Sequence, residues 1–386
     1  MKTAAKSKTQ AARPSAATFA KRFSGNKTEV FLAAPWRAAV DDERIALRAL
    51  NAALPLAGVA ARLWRPFEDS LSDIRCLHLF GTAAEFLPVV ESARLSGVKV
   101  LLSPESWQKD GDCGPYARGW LQKTVAWCGS AGRALFSRAP AWQRELYAAV
   151  DLLLPNSNIE AQQLARRFKL PPQRLRVVPH GVDPRLAEAD PQRFREHAGV
   201  RDFVLYVGTI EPKNQQLGFL WAMKNVDVPV VILGDVAPQC QWYLDECRRV
   251  AGCRAQFLPR IACDDPLMAS AYAACGCLVV GSGVAAPERI ALAGGVTGTP
   301  LVLFEGGCGS EYFGQQAVYV RPDDVSGIRR GVQAALDRKR SKNLAEHVRT
   351  YFSWKAVART LRDSYGQVWR APQQHSPQKG LQAAGQ

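Results

Sequence analysis

Between Val279 and Phe304 the chain reads VVGSGVAAPERIALAGGVTGTPLVLF, two apolar runs around a glycine- and alanine-rich stretch whose only charges are Glu288 and Arg289. A strand, a loose glycine-bearing turn, a small-residue segment and a second strand make a floor that a nucleotide or sugar phosphate can approach closely. Such a floor normally grips hydroxyls with carboxylates, and Glu288 is the one carboxylate here. Two more residues stand near predicted strand ends: His78, before Leu79-Phe80-Gly81-Thr82, and Glu105, just after Leu101-Leu102-Ser103-Pro104. Either can bind or deprotonate a hydroxyl. The plainer alternatives are a satisfied packing histidine at 78 and, at 288, an exposed partner for Arg289.

These residues need elements to hold them. Order is expected to begin at TEVFLAAPW, where Val30–Ala33 reads as a buried strand after a basic tail over residues 1–28. A helix follows over DDERIALRALNAALPLAG, then IRCLHLFG as a strand, AAEFLPVVESARLSG as a helix, VKVLLSPES as a strand, a long helical region through Tyr147, and VDLLLPNS as a strand. One last strand is expected at Arg176–Pro179, before a Pro-, Asp- and Arg-rich connector near residues 180–200. The alternation restarts at FVLYVGTIEPKN and continues through VPVVILGD, RAQFLPR, GCLVVGS, TPLVLFEGG and AVYVRPDD. Continuous apolar strands alternating with helices describe parallel sheets covered on both faces. A chain of 386 residues also exceeds what one core serves, so two such α/β domains are expected. The tail segment YFSWKAVARTLRDSYGQVW has one apolar helical face that can pack on either domain. Ligands of open parallel sheets bind beyond the strands' carboxyl ends, which singles out the loops after Phe80, Leu102, Leu154, Val207, Leu233, Val280 and Phe304.

The net charge of +15 is unevenly placed. Residues 1–28 hold seven Lys/Arg and no acid, residues 321–386 hold thirteen against five acids, and the segment between is formally neutral. A nucleic-acid groove would spread its charge over a folded face with interleaved aromatics, so no nucleic-acid partner is expected. Charge at the chain ends suits an anionic membrane surface, at about 1 kcal/mol per nearby basic residue, or merely solvates two tails. The ten cysteines are scattered without CxxC or Cys/His zinc spacing, as in a reduced compartment. With no apolar run of membrane-spanning length and no signal-peptide centre, a cytoplasmic location is expected.

Several loops taken together carry a resemblance. LLPNSNIEAQQLARRF, RLRVVPHGVDP, FVLYVGTIEPKN, DDPLMASAYAAC and GGCGSEYFGQQAVYVRPDD occur in the order and approximate spacing of family-4 glycosyltransferases, from about Thr28 to Trp369. The resemblance implies a GT-B fold: two Rossmann-like domains facing a cleft, an acceptor domain over residues 29–182 and a nucleotide-sugar donor domain over 183–350. It also implies a terminal helix over 351–370 that returns to the first domain, with a tail over 371–386. GTIEPKN is similar to the family's diphosphate-binding loop but one residue short, which implies donor contacts from Gly208, Thr209, Lys213 and Asn214. A lysine there is a point charge, aided by backbone amides at the following helix start. GGCGSEYFG resembles the family's Gly-Gly-x-x-x-Glu turn, implying Gly306, Gly307 and Glu311 at the donor, with Glu311 equally suited to orienting the turn or capping a helix. Ser282 falls in the loop after Val280 and is placed with them. Asn156 and Ser157 match the family's PNS turn and read as turn or cap residues, and His180 reads as a structural hinge residue.

The departure lies in the opening stretch. The family places two glutamates eight residues apart there, the first near the donor sugar and the second on the ribose. Anchored on Gly298–Pro300, those positions are Ala285 and Ala293 in this chain. Glu288 is the remaining carboxylate that a re-registered loop could recruit. The resemblance implies a retaining transfer from a nucleotide sugar to a lipid-linked or glycan acceptor in envelope or extracellular polysaccharide synthesis, with His78, Glu105 or Glu288 in catalysis and no metal. The alternative is a non-catalytic GT-B protein that binds a partner transferase, a membrane or a glycan.

Overall fold

The computed structural model describes residues 29–35, 41–104, 139–281 and 287–370. The first sheet comprises β1 (Val30–Ala33), β2 (Ala61–Leu63), β3 (Cys76–Phe80), β4 (Lys99–Ser103) and β5 (Leu152–Leu153), joined by α1 (Asp41–Ala53), α2 (Phe86–Leu95) and α3 (Ala141–Ala149) and followed by α4 (Asn158–Phe168). All its strands are parallel, in the order β2-β1-β3-β4-β5. Both faces are buried. Phe31, Leu77, Leu79 and Val100 pack with Val90 of α2 and Leu146 and Tyr147 of α3, while Val30, Leu32 and Cys76 turn to α1 on the other face. That two-residue alternation inside an unbroken apolar run is what a doubly covered strand requires.

The second unit is entered through α5 (Pro191–Ala198) and continues β6 (Val204–Val207), α6 (Gln216–Met223), β7 (Val230–Leu233), α7 (Gln241–Ala251), β8 (Ala255–Leu258), α8 (Pro266–Ala274), β9 (Cys277–Val280), α9 (Pro287–Val296), β10 (Leu301–Phe304), α10 (Gly309–Phe313), β11 (Val318–Val320) and α11 (Val325–Leu336). Its sheet is parallel with the order β11-β10-β9-β6-β7-β8. The chain leaves β6 toward β7 and β8 and then returns to β9 on the other side, so the winding reverses between β6 and β9. A crevice opens at the carboxyl ends of such strands, which is where open α/β sheets bind ligands. Helices α12 (Lys342–Phe352) and α13 (Trp354–Arg370) close the chain. Val357, Leu361 and Tyr365 of α13 pack with Leu47 and Leu50 of α1 against the first sheet. Val182 N donates to Phe352 O (2.8 Å) and Trp354 N to Val182 O (3.2 Å), pinning this return beside the outward crossing.

Three sequence expectations change. Strand β2 was not anticipated: three residues at a sheet edge, with Arg62 4.3 Å over the Phe31 ring, leave too short an apolar pattern to read. The strand expected at Arg176–Pro179 is not formed. Arg176 N and Val178 N donate to Leu153 O and Pro155 O, so the segment runs beside β5, but Pro179 has no N–H to continue a ladder. The connector over 180–200 contains α5, started by Asp190, whose carboxylate accepts Gln192 N (2.9 Å), and stopped by Gly199 in the left-handed region. Most of the long helical region expected before Tyr147 lies outside the described residues.

Candidate functional site

The loop leaving β6 is built around one carbonyl. Thr209 O accepts the side-chain amides of Asn214 and Gln216, both at 2.7 Å, and the Tyr206 hydroxyl donates to Asn214 O. Asn214 is therefore buried and structural, and it braces the turn that presents Lys213. Lys213 is 56 % exposed, and its Nζ lies 3.0 Å from Glu211 Oε1, so its charge is shared with a carboxylate in the same loop. Gly281, at the end of β9, abuts this loop: a Cβ there would sit 2.1 Å from the Tyr206 hydroxyl and 2.6 Å from Asn214 O. The β6 and β9 loops thus meet at the winding reversal, and only glycine permits the approach.

Glu288 opens α9 and is 4 % exposed, which overturns the reading of an exposed partner for Arg289. It accepts the Cys308 thiol (2.8 Å), one residue beyond Gly306 and Gly307, and lines a small pocket with Val280, Gly281, Leu303 and Gly307. Gly306 takes φ 92° to turn the chain out of β10. Burial raises the Glu288 pKa, opposed by the bond from Cys308 and by the Arg289 charge, and burial next to Glu288 pushes the thiol up as well. The structure therefore brings Glu288, Gly281, Gly307 and the Gly208–Asn214 loop to one edge of the second sheet. Ala293 is packed in the core beneath α9. Ser282 and Ala285 lie outside the described residues.

Glu311 reaches the other domain. Its carboxylate accepts Asn158 N (2.7 Å), Asn158 Nδ2 (2.9 Å) and Ile159 N (2.7 Å), capping the first turn of α4 in the other domain. Of the roles expected of Glu311 the structure shows a cap, made across the domains to α4. Beside it, the Tyr312 hydroxyl donates to Asn156 O (2.7 Å) and accepts His180 N (3.0 Å). Ser157 is the α4 N-cap, its hydroxyl accepting Glu160 N, while the Glu160 carboxylate accepts Asn156 N (2.7 Å). Helix α10 thus carries two adjacent residues that hold the first domain's Asn156–Ile159 turn. Sequence reasoning missed Tyr312 because nothing local marks an aromatic whose partners are more than a hundred residues away.

In the first domain His78 is fully buried, with Nδ1 2.8 Å from the Tyr365 hydroxyl and Nε2 2.9 Å from Ser103 Oγ. Burial lowers its pKa to about 3. A ring with both nitrogens occupied and no proton to exchange near neutrality is a packing residue tying β3 to α13, so the catalytic role expected for it is not supported by its geometry. Ser103 stands between it and a cleft at the carboxyl ends of β3, β4 and β5, walled by Leu47, Leu50 and Val357 and bordered by His180 and Arg289. Glu105 lies outside the described residues. Arg289 Nε donates to His180 Nδ1 (3.3 Å), so the α9 start reaches the hinge. Among the described residues, no group of three or more His, Cys, Asp or Glu side chains is placed to hold a metal ion, eight cysteines are free, and no helix is long and apolar enough to cross a membrane.

Residues 15–186 match a family model described as Glycosyltransferase Family 4. No curated protein matches the chain. Among solved structures, the chain is similar to sucrose-phosphate synthase from Thermosynechococcus elongatus, with 18 % identity, 88 % of this chain and 99 % of that one covered, and a TM-score of 0.63. A glycosyltransferase from Rickettsia africae shares 11 % identity over 90 % of this chain and 100 % of its own, with a TM-score of 0.66. Anabaena HepE, solved in complex with UDP and glucose, shares 13 % identity over 88 % and 99 %, with a TM-score of 0.62. Two parallel sheets with these neighbours define a two-domain α/β protein of the GT-B fold.

Proposed function

We propose that the chain is a glycosyltransferase that moves a sugar from a nucleotide-sugar donor to a lipid-linked or glycan acceptor in envelope or extracellular polysaccharide synthesis. The observation that carries this reading is the meeting of the Gly208–Asn214 loop, Gly281 and the Glu288–Gly307 pocket where the second sheet reverses its winding. The family match over residues 15–186 and the UDP-bound state of HepE support it. In this reading Lys213 holds the departing diphosphate, the glycine turns admit the donor, and the acceptor hydroxyl attacks the face the nucleotide leaves, retaining configuration. The chemistry asks for no metal. The enzyme works in the cytoplasm, with the basic residues of positions 1–28 drawing it to an anionic membrane face.

One observation favours a second reading, a non-catalytic GT-B protein that binds a partner. Glu288 is closed against Cys308 and Ala293 is core, so no described α9 carboxylate is open to a ribose. Calorimetry against UDP, GDP and ADP, followed by sugar-nucleotide turnover, separates the two. The transferase reading requires one nucleoside diphosphate to bind and its sugar conjugate to be consumed. Binding without consumption on any donor supports the second reading, and absence of all nucleotide binding removes the first.

A further inference from the structure

Helix α10 is short, yet its residues meet both domains and both chain crossings between them. On its own side it is seated firmly: a Cβ at Gly309 would lie 2.9 Å from Leu303 Cδ1 of β10, and Tyr312 and Phe313 belong to the core around Leu303. Tyr312 is 2 % exposed. Its ring stacks on Phe352 at 4.9 Å, and Phe352 O accepts Val182 N where the two crossings run side by side. Its hydroxyl bridges Asn156 O in the first domain and His180 N on the outward crossing. Glu311 stands exposed beside it and reaches the α4 amides as an outer arm. A buried pin at the crossings and an arm beyond it fix the angle between two bodies that the crossings alone leave as a hinge.

The helix also starts where the second domain's small pocket ends. Cys308, 1 % exposed, directly precedes Gly309; its thiol donates to Glu288, and its sulfur lies 4.0 Å from Asn156 Oδ1. Glu288 and Gly307 line the pocket of the second domain, and Asn156 borders the cleft of the first. Cys308 is therefore sealed between the two, and the chain runs from it straight into Glu311 and Tyr312. Packed interfaces switch between discrete arrangements instead of deforming smoothly, so a shift at the Gly306–Gly307 turn reaches α4 as a made or broken cap.

We propose that α10 is an interdomain strut, with Tyr312 as its pin and Glu311 as its releasable arm, that holds the Glu288 pocket in register with the Asn156–Ile159 turn and makes a ligand seated on Gly307 felt at α4. The coupling is reciprocal: the factor by which such a ligand strengthens the cap is the factor by which the cap strengthens the ligand. Only the choice of UDP as that ligand rests on the nucleotide-sugar reading; the strut stands on the contacts of α10. Glu311 and Tyr312 act through α4, as positioning residues.

The test reads the sealed thiol. The full chain is treated with N-ethylmaleimide, and each cysteine is followed by peptide mass spectrometry. Glu311→Gln removes the charge that three N–H groups share, and Tyr312→Phe keeps the ring on Phe352 but removes its hydroxyl. Each should speed alkylation of Cys308 about tenfold, the factor for one lost charged hydrogen bond. Cys76 and Cys277, fully buried in β3 and β9, should keep their wild-type rates. Equal acceleration at all three thiols means general loosening, and no acceleration at Cys308 means that α10 does not hold the domains; either result overturns the proposal. Glu311→Gln, at an exposed site, keeps the test decisive if Tyr312→Phe fails to fold. The coupling is read by amide exchange with saturating UDP, which should slow the Asn158 and Ile159 amides about fivefold in the wild type. In Glu311→Gln, UDP should leave those amides unchanged and bind about fivefold more weakly. UDP that binds the wild type without altering them overturns the coupling. Failure of UDP, GDP and ADP to bind at all sinks the nucleotide-sugar reading, while the Cys308 rates still decide the strut.

Discussion

Removing Glu211 should make the protein a better diphosphate binder. Its carboxylate lies 3.0 Å from Lys213 Nζ, and its side chain is 19 % exposed against 56 % for the lysine. A phosphate oxygen contacting the far side of the ammonium would stand roughly 6 Å from Glu211, where two unit charges repel by about 0.7 kcal/mol in water and about 2.8 kcal/mol at an effective dielectric of 20. Exposure and a Debye length of about 8 Å at physiological salt pull this toward the lower end, near 1 kcal/mol. Glu211→Gln should therefore tighten UDP about fivefold, at about 1.4 kcal/mol per tenfold. The glutamine keeps an oxygen for the 3.3 Å bond from Asn214 Nδ2, so the loop itself need not change. Lys213→Ala removes a charged hydrogen bond worth about 1.5 kcal/mol at the weak, exposed end of the range, which is about tenfold. Uridine should respond to neither change, and both effects should shrink between 50 mM and 500 mM salt. The measurement is calorimetry with UDP and uridine on the three proteins. Glu211→Gln that weakens UDP, or Lys213→Ala that weakens UDP and uridine equally, would refute the assignment of this loop to phosphate.

Glu311→Ala should leave the melting temperature within a few degrees but raise hydrogen exchange at the Asn158 and Ile159 amides about tenfold, because one charged cap holds both. Unchanged exchange there would show that the interdomain cap does not persist in solution. Gly281→Ala should yield an insoluble or strongly destabilised protein, since its Cβ would lie 2.1 Å from the Tyr206 hydroxyl, and a soluble protein with the wild-type melting temperature would refute that packing. Acid should weaken the fold through His78. Its folded pKa near 3 lies below the unfolded value of about 6.5, so as pH falls below 6.5 the unfolded chain takes a proton that the folded chain refuses. His180 acts in the same direction. His78→Gln should be less stable at pH 7 yet lose stability less steeply between pH 6 and 4, read from urea midpoints; parallel slopes would exclude His78 as a source.

Apart from the edge strand β2, the two sheets were legible in the linear chain because most strands are apolar runs set between helical segments, signals that act within four or five residues. The resemblance, rather than local chemistry, marked the glycine turn at Gly306 and the turn or cap at Ser157. The roles of charged and polar groups were not legible in that way. Glu288 and Arg289 are neighbours in sequence, yet one turns inward to Cys308 and the other reaches the hinge at His180. Glu311 follows a donor-type glycine turn but spends its carboxylate on a helix 153 residues away. His78 sits at a strand end, and α13, arriving from the far end of the chain, supplies the Tyr365 hydroxyl that occupies its Nδ1. Secondary structure is set by nearest neighbours, whereas what a polar side chain does depends on which partners the folded chain delivers within about 3 Å of it. Only the folded chain, within and between the two domains, decides that.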